Sequence, residues 1–289
     1  MTTTDIDTRR QPAATRTGDP KPFFRLLERR APGLGARLAE RIWFTLPRPR
    51  PGPVAAPGGR RFSVTVDAGT VTGATWGVGP AVYLIHGWGG SRRQFGAFVA
   101  PLVEAGYRVV AFDAPSHGES SPGRHGRRSS TALEFTAALQ AVSEAHGPAH
   151  AVIAHSLGGL ATAVALRDGW TVRRVVLLAP VASMLGFVSR LREALGFGDR
   201  TARRLLMRAH RRVGVSMDEF EATSMLSGRT VPATLVIHDR DDGMVPHADG
   251  AAIAAAWPGA RLHLTTGLGH HRLLRDVTVA DEVVRFVTA

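Results

Sequence analysis

The stretch VIAHSLGGLATAVAL, residues 152–166, places one hydroxyl where an apolar run meets another. Ser156 has Ala154 two residues before it, Gly158 two after, and Gly159 beyond. A strand that turns directly into a helix needs small residues at those places, because so sharp a turn leaves no room for bulk. The turn lifts the hydroxyl clear of the sheet, and the free N–H groups of the new helix point at the same spot. Such a hydroxyl attacks a carbonyl when a base takes its proton and a carboxylate orients the base. Both residue types follow. HDRDDGMVP (238–246) offers Asp239, Asp241 and Asp242, and GLGHH (267–271) offers His270 and His271. The chemistry open to this set is acyl transfer through a serine intermediate. The bland alternative is that SLGG only caps a tightly packed helix.

The elements around these residues must bring them together. Short apolar runs predict strands at 61–66, 71–78, 81–87, 107–113, 149–155, 172–180, 233–239 and 260–266, the first two forming a hairpin. Helical spacing predicts helices at 91–106, 129–147 (opened by a Ser cap), 156–169, 247–257 and 271–287. This alternation implies an α/β fold, a mostly parallel sheet with helices on both faces. In such sheets ligand-handling groups sit past the carboxyl ends of strands. Ser156, the Asp cluster and the His pair all fall at such ends.

With HGWGG (86–90), FDAPSHGESS (112–121), AHSLGG (154–159), HDRDDGMVP and GLGHH, residues 61–289 resemble the α/β-hydrolase superfamily of serine hydrolases, esterase- or lipase-like. The resemblance implies the α/β-hydrolase fold with a helical lid inserted at 181–232. It implies Ser156 as nucleophile, His270 as base and Asp242, four residues before Pro246, as the acid. It implies an oxyanion hole made by the backbone N–H groups of Trp88 and Leu157. The chain departs from the family's G-x-S-x-G at Ala154, which still lacks bulk. A Ser nucleophile separates it from the dehalogenases and epoxide hydrolases of the same fold, which use Asp. The implied reaction is cleavage of a small-molecule carboxylic ester with no cofactor. The rivals are an acyl thioesterase acting on an anionic acyl carrier and a non-catalytic ligand-binding member of the fold.

Among the three aspartates, Gly243 favours Asp242, since it lets the loop turn closely around a buried carboxylate. Asp239, beside Arg240, is expected to be an exposed ion-pair partner, and Asp241 to cap the turn. His86 and His117 are expected to fix loops. His155 is expected at the substrate pocket, with Phe187 and Leu191 of the insertion. No metal is expected, because His238 and Asp239 have no further ligands at a recognisable spacing.

Composition narrows the classes. The 44% of apolar residues can build a sizeable core. Having no Cys excludes disulfides and thiol catalysis. No apolar run reaches the roughly 18 residues of a membrane span, and no signal peptide is read, so a cytoplasmic protein is expected. The net charge of +12 is localised: residues 1–61 hold 13 Lys/Arg against 5 Asp/Glu, and residues 181–232 hold 9 against 5. The body is neutral, so nucleic-acid binding is not expected. The insertion's Arg203, Arg204, Arg208, Arg211 and Arg212 read as a solvated face or as contacts to an anionic substrate such as an acyl-CoA or acyl-carrier moiety. Residues 1–20 are expected to be disordered. In the segment 21–60, helical spacing covers 22–46, a stretch that could make weak contact with a membrane surface, and a Pro-rich linker follows at 47–53.

Overall fold

A computed structural model describes residues 18–48, 56–67 and 69–289. The expectations of disorder for residues 1–17 and of a linker at 49–53 therefore lie outside the described residues. Two helices, α1 (Lys21–Arg30) and α2 (Pro32–Phe44), come first. Strands β1 (Arg60–Val66) and β2 (Gly69–Trp76) pair antiparallel as a hairpin. β3 (Ala81–Ile85), α3 (Gly96–Glu104), β4 (Arg108–Phe112), α4 (Ala132–His146), β5 (Ala149–His155), α5 (Leu157–Arg167) and β6 (Val172–Leu178) then alternate. The insertion supplies α6 (Met184–Leu195), α7 (Asp199–Val213) and the short α8 (Ala222–Met225). β7 (Ala233–Asp239), α9 (His247–Ala256), β8 (Arg261–Thr265), α10 (Gly269–Arg272) and α11 (Val277–Thr288) close the chain.

The strands form one 8-stranded sheet in the order β1-β2-β4-β3-β5-β6-β7-β8. β1 and β2 are antiparallel to their neighbours, and β4 through β8 run parallel. Side chains alternate across the sheet, as the pleat requires. Tyr83 and Ile85 of β3 join Phe135, Leu139, Leu160 and Ile253 on the face covered by α4, α5 and α9. Val82 and Leu84 join Phe98, Leu102, Val283 and Phe286 on the face covered by α3 and α11.

A third cluster lies away from the sheet. Phe24, Ala36 and Ala39 of the N-terminal helices pack against Val188, Leu195, Phe197 and Leu205 of the insertion. The N-terminal segment is thus bonded to the insertion through an apolar interface of its own. No described helix is long and apolar enough to cross a membrane.

Two sequence expectations change in detail. The cap of α4 is Thr131 rather than a Ser: its hydroxyl accepts from the Glu134 N–H at 3.2 Å and donates to the Glu134 carboxylate at 3.1 Å. Glu134 stands three residues after Thr131, whereas Ser129 and Ser130 are followed at that distance by Ala132 and Leu133, which offer no such partner. The expected helix 271–287 divides into α10 and α11, because Asp276 caps a new start by accepting from the Val279 N–H at 3.1 Å.

Candidate active site

Ser156 closes β5 and opens α5 with no intervening residue. Its φ of 53° lies in the left-handed region, a costly conformation for a residue with a side chain. The surroundings enforce it. A Cβ on Gly158 would stand 2.6 Å from the His86 carbonyl oxygen and 2.7 Å from that of Ile85, so α5 can begin this close to β3 only with glycine there. A Cβ on Gly87 would stand 2.7 Å from the Ser156 Cβ. The loop after β3 and the elbow therefore touch backbone to backbone.

The three expected side chains meet here. The Ser156 hydroxyl donates to His270 Nε2 at 3.1 Å, and His270 Nδ1–H donates to Asp242 Oδ2 at 2.7 Å. The Asp242 side chain is fully buried. Its Oδ1 accepts from the Met244 and Val245 amides at 2.8 and 2.9 Å. Burial alone would raise its pKa. Hydrogen bonds from His238, His270 and the Val245 amide outweigh burial and hold the carboxyl well below its ordinary value. Asp242 is therefore an anion at neutral pH, and it fixes His270 as the Nδ1–H tautomer with Nε2 free to accept.

The loop carrying Trp88 is pinned by two neutral histidines. His86 donates from Nδ1 to the Gly87 carbonyl at 2.7 Å and accepts at Nε2 from the Ala114 amide at 3.0 Å. His117 accepts from the Gly89 amide at 3.0 Å and donates to the Pro115 carbonyl at 3.0 Å. Burial lowers His86 to about 4 and His117 to about 3. The Trp88 N–H has no acceptor among the described residues. Leu157 is the first residue of α5, so its N–H has no acceptor within the helix.

A model of the alpha/beta hydrolase family matches residues 82–284. The chain belongs to the alpha/beta hydrolase family. A dihydrolipoyllysine-residue acetyltransferase component of an acetoin cleaving system, from Cupriavidus necator, is 37% identical over 101 residues, 35% of this chain and 26% of that protein. A non-heme haloperoxidase from Rhodococcus erythropolis is 32% identical over 127 residues, 42% of this chain and 45% of that protein. The matches thus span less than half the length of either relative. The crystal structure of an esterase from Rhodococcus sp. ECU1013 superposes with a TM-score of 0.59 at 19% identity, covering 80% of this chain and 98% of that one.

In this alpha/beta hydrolase the other expected side chains are held by contacts of their own. His155 is buried, and its Nε2–H donates to the His270 carbonyl at 2.9 Å, with the two rings 4.6 Å apart. It supports His270 from below. Phe187 lies against the Trp43 ring at 5.4 Å. Leu191 packs into the cluster around Phe24 and Leu205, joining the insertion to the N-terminal helices. Asp239 is a correction: it is wholly buried and forms no ion pair with Arg240. It accepts from the Asp241 amide at 3.0 Å, the Thr265 hydroxyl at 2.7 Å and the Leu268 amide at 3.0 Å. The end of β7 is thereby tied to the loop that carries His270. Asp241 does not cap its own turn. It reaches across to the Gly267 amide at 2.8 Å. Asp113 pairs with Arg92 in the interior.

Sequence reasoning missed His238 in this setting. It is wholly buried, and its Nε2–H is shared between the Val245 carbonyl at 3.0 Å and Asp242 Oδ2 at 3.3 Å. The signal was its place at the end of β7, four residues before Asp242. It also missed that His155, His270 and His271 offer ligand atoms within 4.8 Å of one another, the one such group among the described residues that could hold a metal ion. Two of the three already serve the hydrogen-bonded chain, His270 through both ring nitrogens.

Proposed function

We propose that this protein hydrolyses carboxylic esters through a covalent acyl-serine intermediate. The observation that carries the reading is the continuous hydrogen-bonded chain from the Ser156 hydroxyl through His270 to a buried, anionic Asp242. The Ser156 oxygen attacks the ester carbonyl carbon while its proton passes to His270 Nε2. Negative charge collects on the carbonyl oxygen, where the N–H groups of Leu157 and Trp88 receive it. One such donor is worth about 3–4 kcal/mol in the transition state. The tetrahedral species collapses, the carbon–oxygen bond to the alcohol breaks, and the alcohol leaves with the proton from His270. Water then attacks the acyl-enzyme, giving its proton to His270. The acid departs and Ser156 regains its proton. Asp242 stays ionised throughout, holding the ring and stabilising the transient imidazolium.

The reading is tested with p-nitrophenyl butyrate in rapid-mixing experiments. A burst of p-nitrophenol equal to the enzyme concentration, with a matching butyryl adduct on Ser156 in acid-quenched samples, is expected. Steady hydrolysis that persists in Ser156→Ala would overturn it. A second reading, thioester hydrolysis by the same steps with a thiol leaving, is favoured by one feature of the surface, an arginine-lined cleft.

A further inference from the structure

A cleft of about 410 Å³ opens between α2, the loop at 125–129 and α7, within the roughly 300–1,000 Å³ of small-molecule sites. Six arginines from three separate segments converge on it: Arg37, Arg41, Arg127, Arg128, Arg208 and Arg212. Glu40 is the only carboxylate that lines it, and Arg208 already takes that charge. Like charges gathered without counter-charge repel one another, so this arrangement carries a strong positive field. His125 also lines the cleft. It is held below its ordinary value by burial and, against the pull of Glu134, by the charges of Arg212 and Arg124.

The guanidinium groups divide into two kinds. Arg212 is fixed: it donates to the Ser129 hydroxyl at 2.8 Å and lies 4.9 Å from the centre of the Phe44 ring. Arg128 is fixed by donating to the Leu46 carbonyl at 2.8 Å. Arg37, Arg41 and Arg127 make no side-chain hydrogen bond or ion pair to any described residue. All three are exposed, and a guanidinium is a planar donor fork that matches a pair of phosphate oxygens.

A short stretch of chain links the cleft to the loop beside the reaction centre. Phe44 and Thr45 line it. The next residue, Leu46, donates its N–H to the Arg128 carbonyl at 2.8 Å. Pro47 then sits on Gly89, where an added Cβ would fall 2.4 Å from the Pro47 ring. Gly89 is the neighbour of Trp88, whose N–H faces the carbonyl oxygen in the proposed mechanism. One short stretch, Phe44–Pro47, thus borders both places.

We propose that this cleft holds the phosphate-bearing end of the substrate's leaving group, so that the acyl substrates are thioesters or esters of a phosphorylated thiol or alcohol. The proposal rests on the serine-hydrolase reading and names its substrate class. The acyl carbon lies at Ser156, and the leaving group runs past Pro47 to the arginines. The thiol or alcohol departs with a proton from His270 as the bond to the acyl carbon breaks.

Butyryl-coenzyme A and butyryl-pantetheine present the same thioester with and without phosphates. For the full chain at low salt, kcat/KM is expected to favour the phosphorylated substrate by about tenfold, chiefly through KM. The triple substitution Arg37→Gln, Arg41→Gln, Arg127→Gln is expected to cut that ratio by about fivefold or more. The pair Arg203→Gln, Arg211→Gln removes charge from α7 outside the cleft and is expected to leave the ratio within about twofold. Calorimetric titration of pyrophosphate into the Ser156→Ala chain reads the cleft without turnover. Binding that the triple substitution abolishes is expected. A wild-type ratio near one overturns the proposal, even with pyrophosphate bound, since the anion would then be a separate effector. Equal losses in both sets of variants overturn it in favour of net charge alone. Binding to phosphatidylglycerol vesicles that depends on the three arginines, without pyrophosphate binding, overturns it in favour of a membrane surface. Absence of all hydrolysis with pyrophosphate binding intact contradicts the serine-hydrolase reading and not the cleft's affinity for phosphate.

Discussion

At the carboxyl edge of the sheet, residues far apart in sequence meet through hydrogen bonds and backbone contact. Ser156, His270, Asp242 and His238 are joined by bonds of 2.7 to 3.3 Å, and glycines let the strands and loops close on one another. In the annex built from α1, α2, α6 and α7, residues equally far apart meet chiefly through the apolar side chains of Phe24, Leu195, Phe197 and Leu205, with Glu40 buried against Arg208 and Glu28 accepting from the Arg200 and Thr201 amides at the seam. The first region has directional constraints on nearly every atom, which suits a site that must hold reacting groups to a fraction of an ångström. The second rests mainly on apolar packing and carries an arginine-rich rim, which on the proposed reading recognises a larger, charged group. On the proposed function, the difference separates how the bond is broken from which molecule is chosen.

Substituting the acid tests the first region most severely. Asp242→Asn keeps the shape but removes the charge that holds the imidazole, so kcat on p-nitrophenyl butyrate is expected to fall by up to about 10⁴-fold. Asp241→Asn, whose bond only reaches the Gly267 amide, is expected to retain activity within about tenfold. Equal losses in the two would break the assignment of the acid.

The annex answers to packing instead. Leu205 is wholly buried on α7. Leu205→Ala is expected to destabilise the chain by about 2–5 kcal/mol, read by urea denaturation. In the folded variant, kcat on p-nitrophenyl butyrate is expected to change by less than about twofold, because no bond to the reacting groups is lost. A large drop in kcat would join the two regions that the comparison separates.

Acid should reach the sheet edge before the annex. Burial lowers the pKa of His86 to about 4 and of His117 to about 3, so both stay neutral in the fold well below the roughly 6.5 at which unfolded histidines protonate. As pH falls, the unfolded chain binds protons first. Their contribution is therefore complete above about pH 6.5 and is lost progressively as pH falls through about 4 and 3. Asp242, with its lowered pKa, adds a term that is present above about pH 4 and lost below it. Urea midpoints at pH 7, 5.5 and 4.5 are expected to fall by the equivalent of a few kcal/mol in total. Flat midpoints would mean that these groups are not held neutral by the fold.

Much of the sheet was legible because its signals are local. β5 and β7 begin and end where their apolar runs do, and the elbow announces itself through Ala154, Ser156 and Gly158. What was not legible depends on partners distant in the chain. Asp239 looks like a surface charge beside Arg240, and only the arrival of Thr265 and Leu268 makes it a buried anchor. His238 gains meaning from a loop that folds back onto its own strand. Leu191 packs against helices that lie some 150 residues earlier, a neighbour that its own stretch of sequence does not reveal. The arginine cleft draws on three segments, so its charges look dispersed when read along the chain.

The central claim is that Ser156 is the nucleophile. A fluorophosphonate probe applied to the full chain, followed by proteolysis and mass mapping, tests it most directly. One adduct per chain on Ser156 is predicted, abolished in Ser156→Ala and strongly slowed in Asp242→Asn. An adduct mapped to any other serine, or an unlabelled protein that still hydrolyses p-nitrophenyl butyrate, would contradict it.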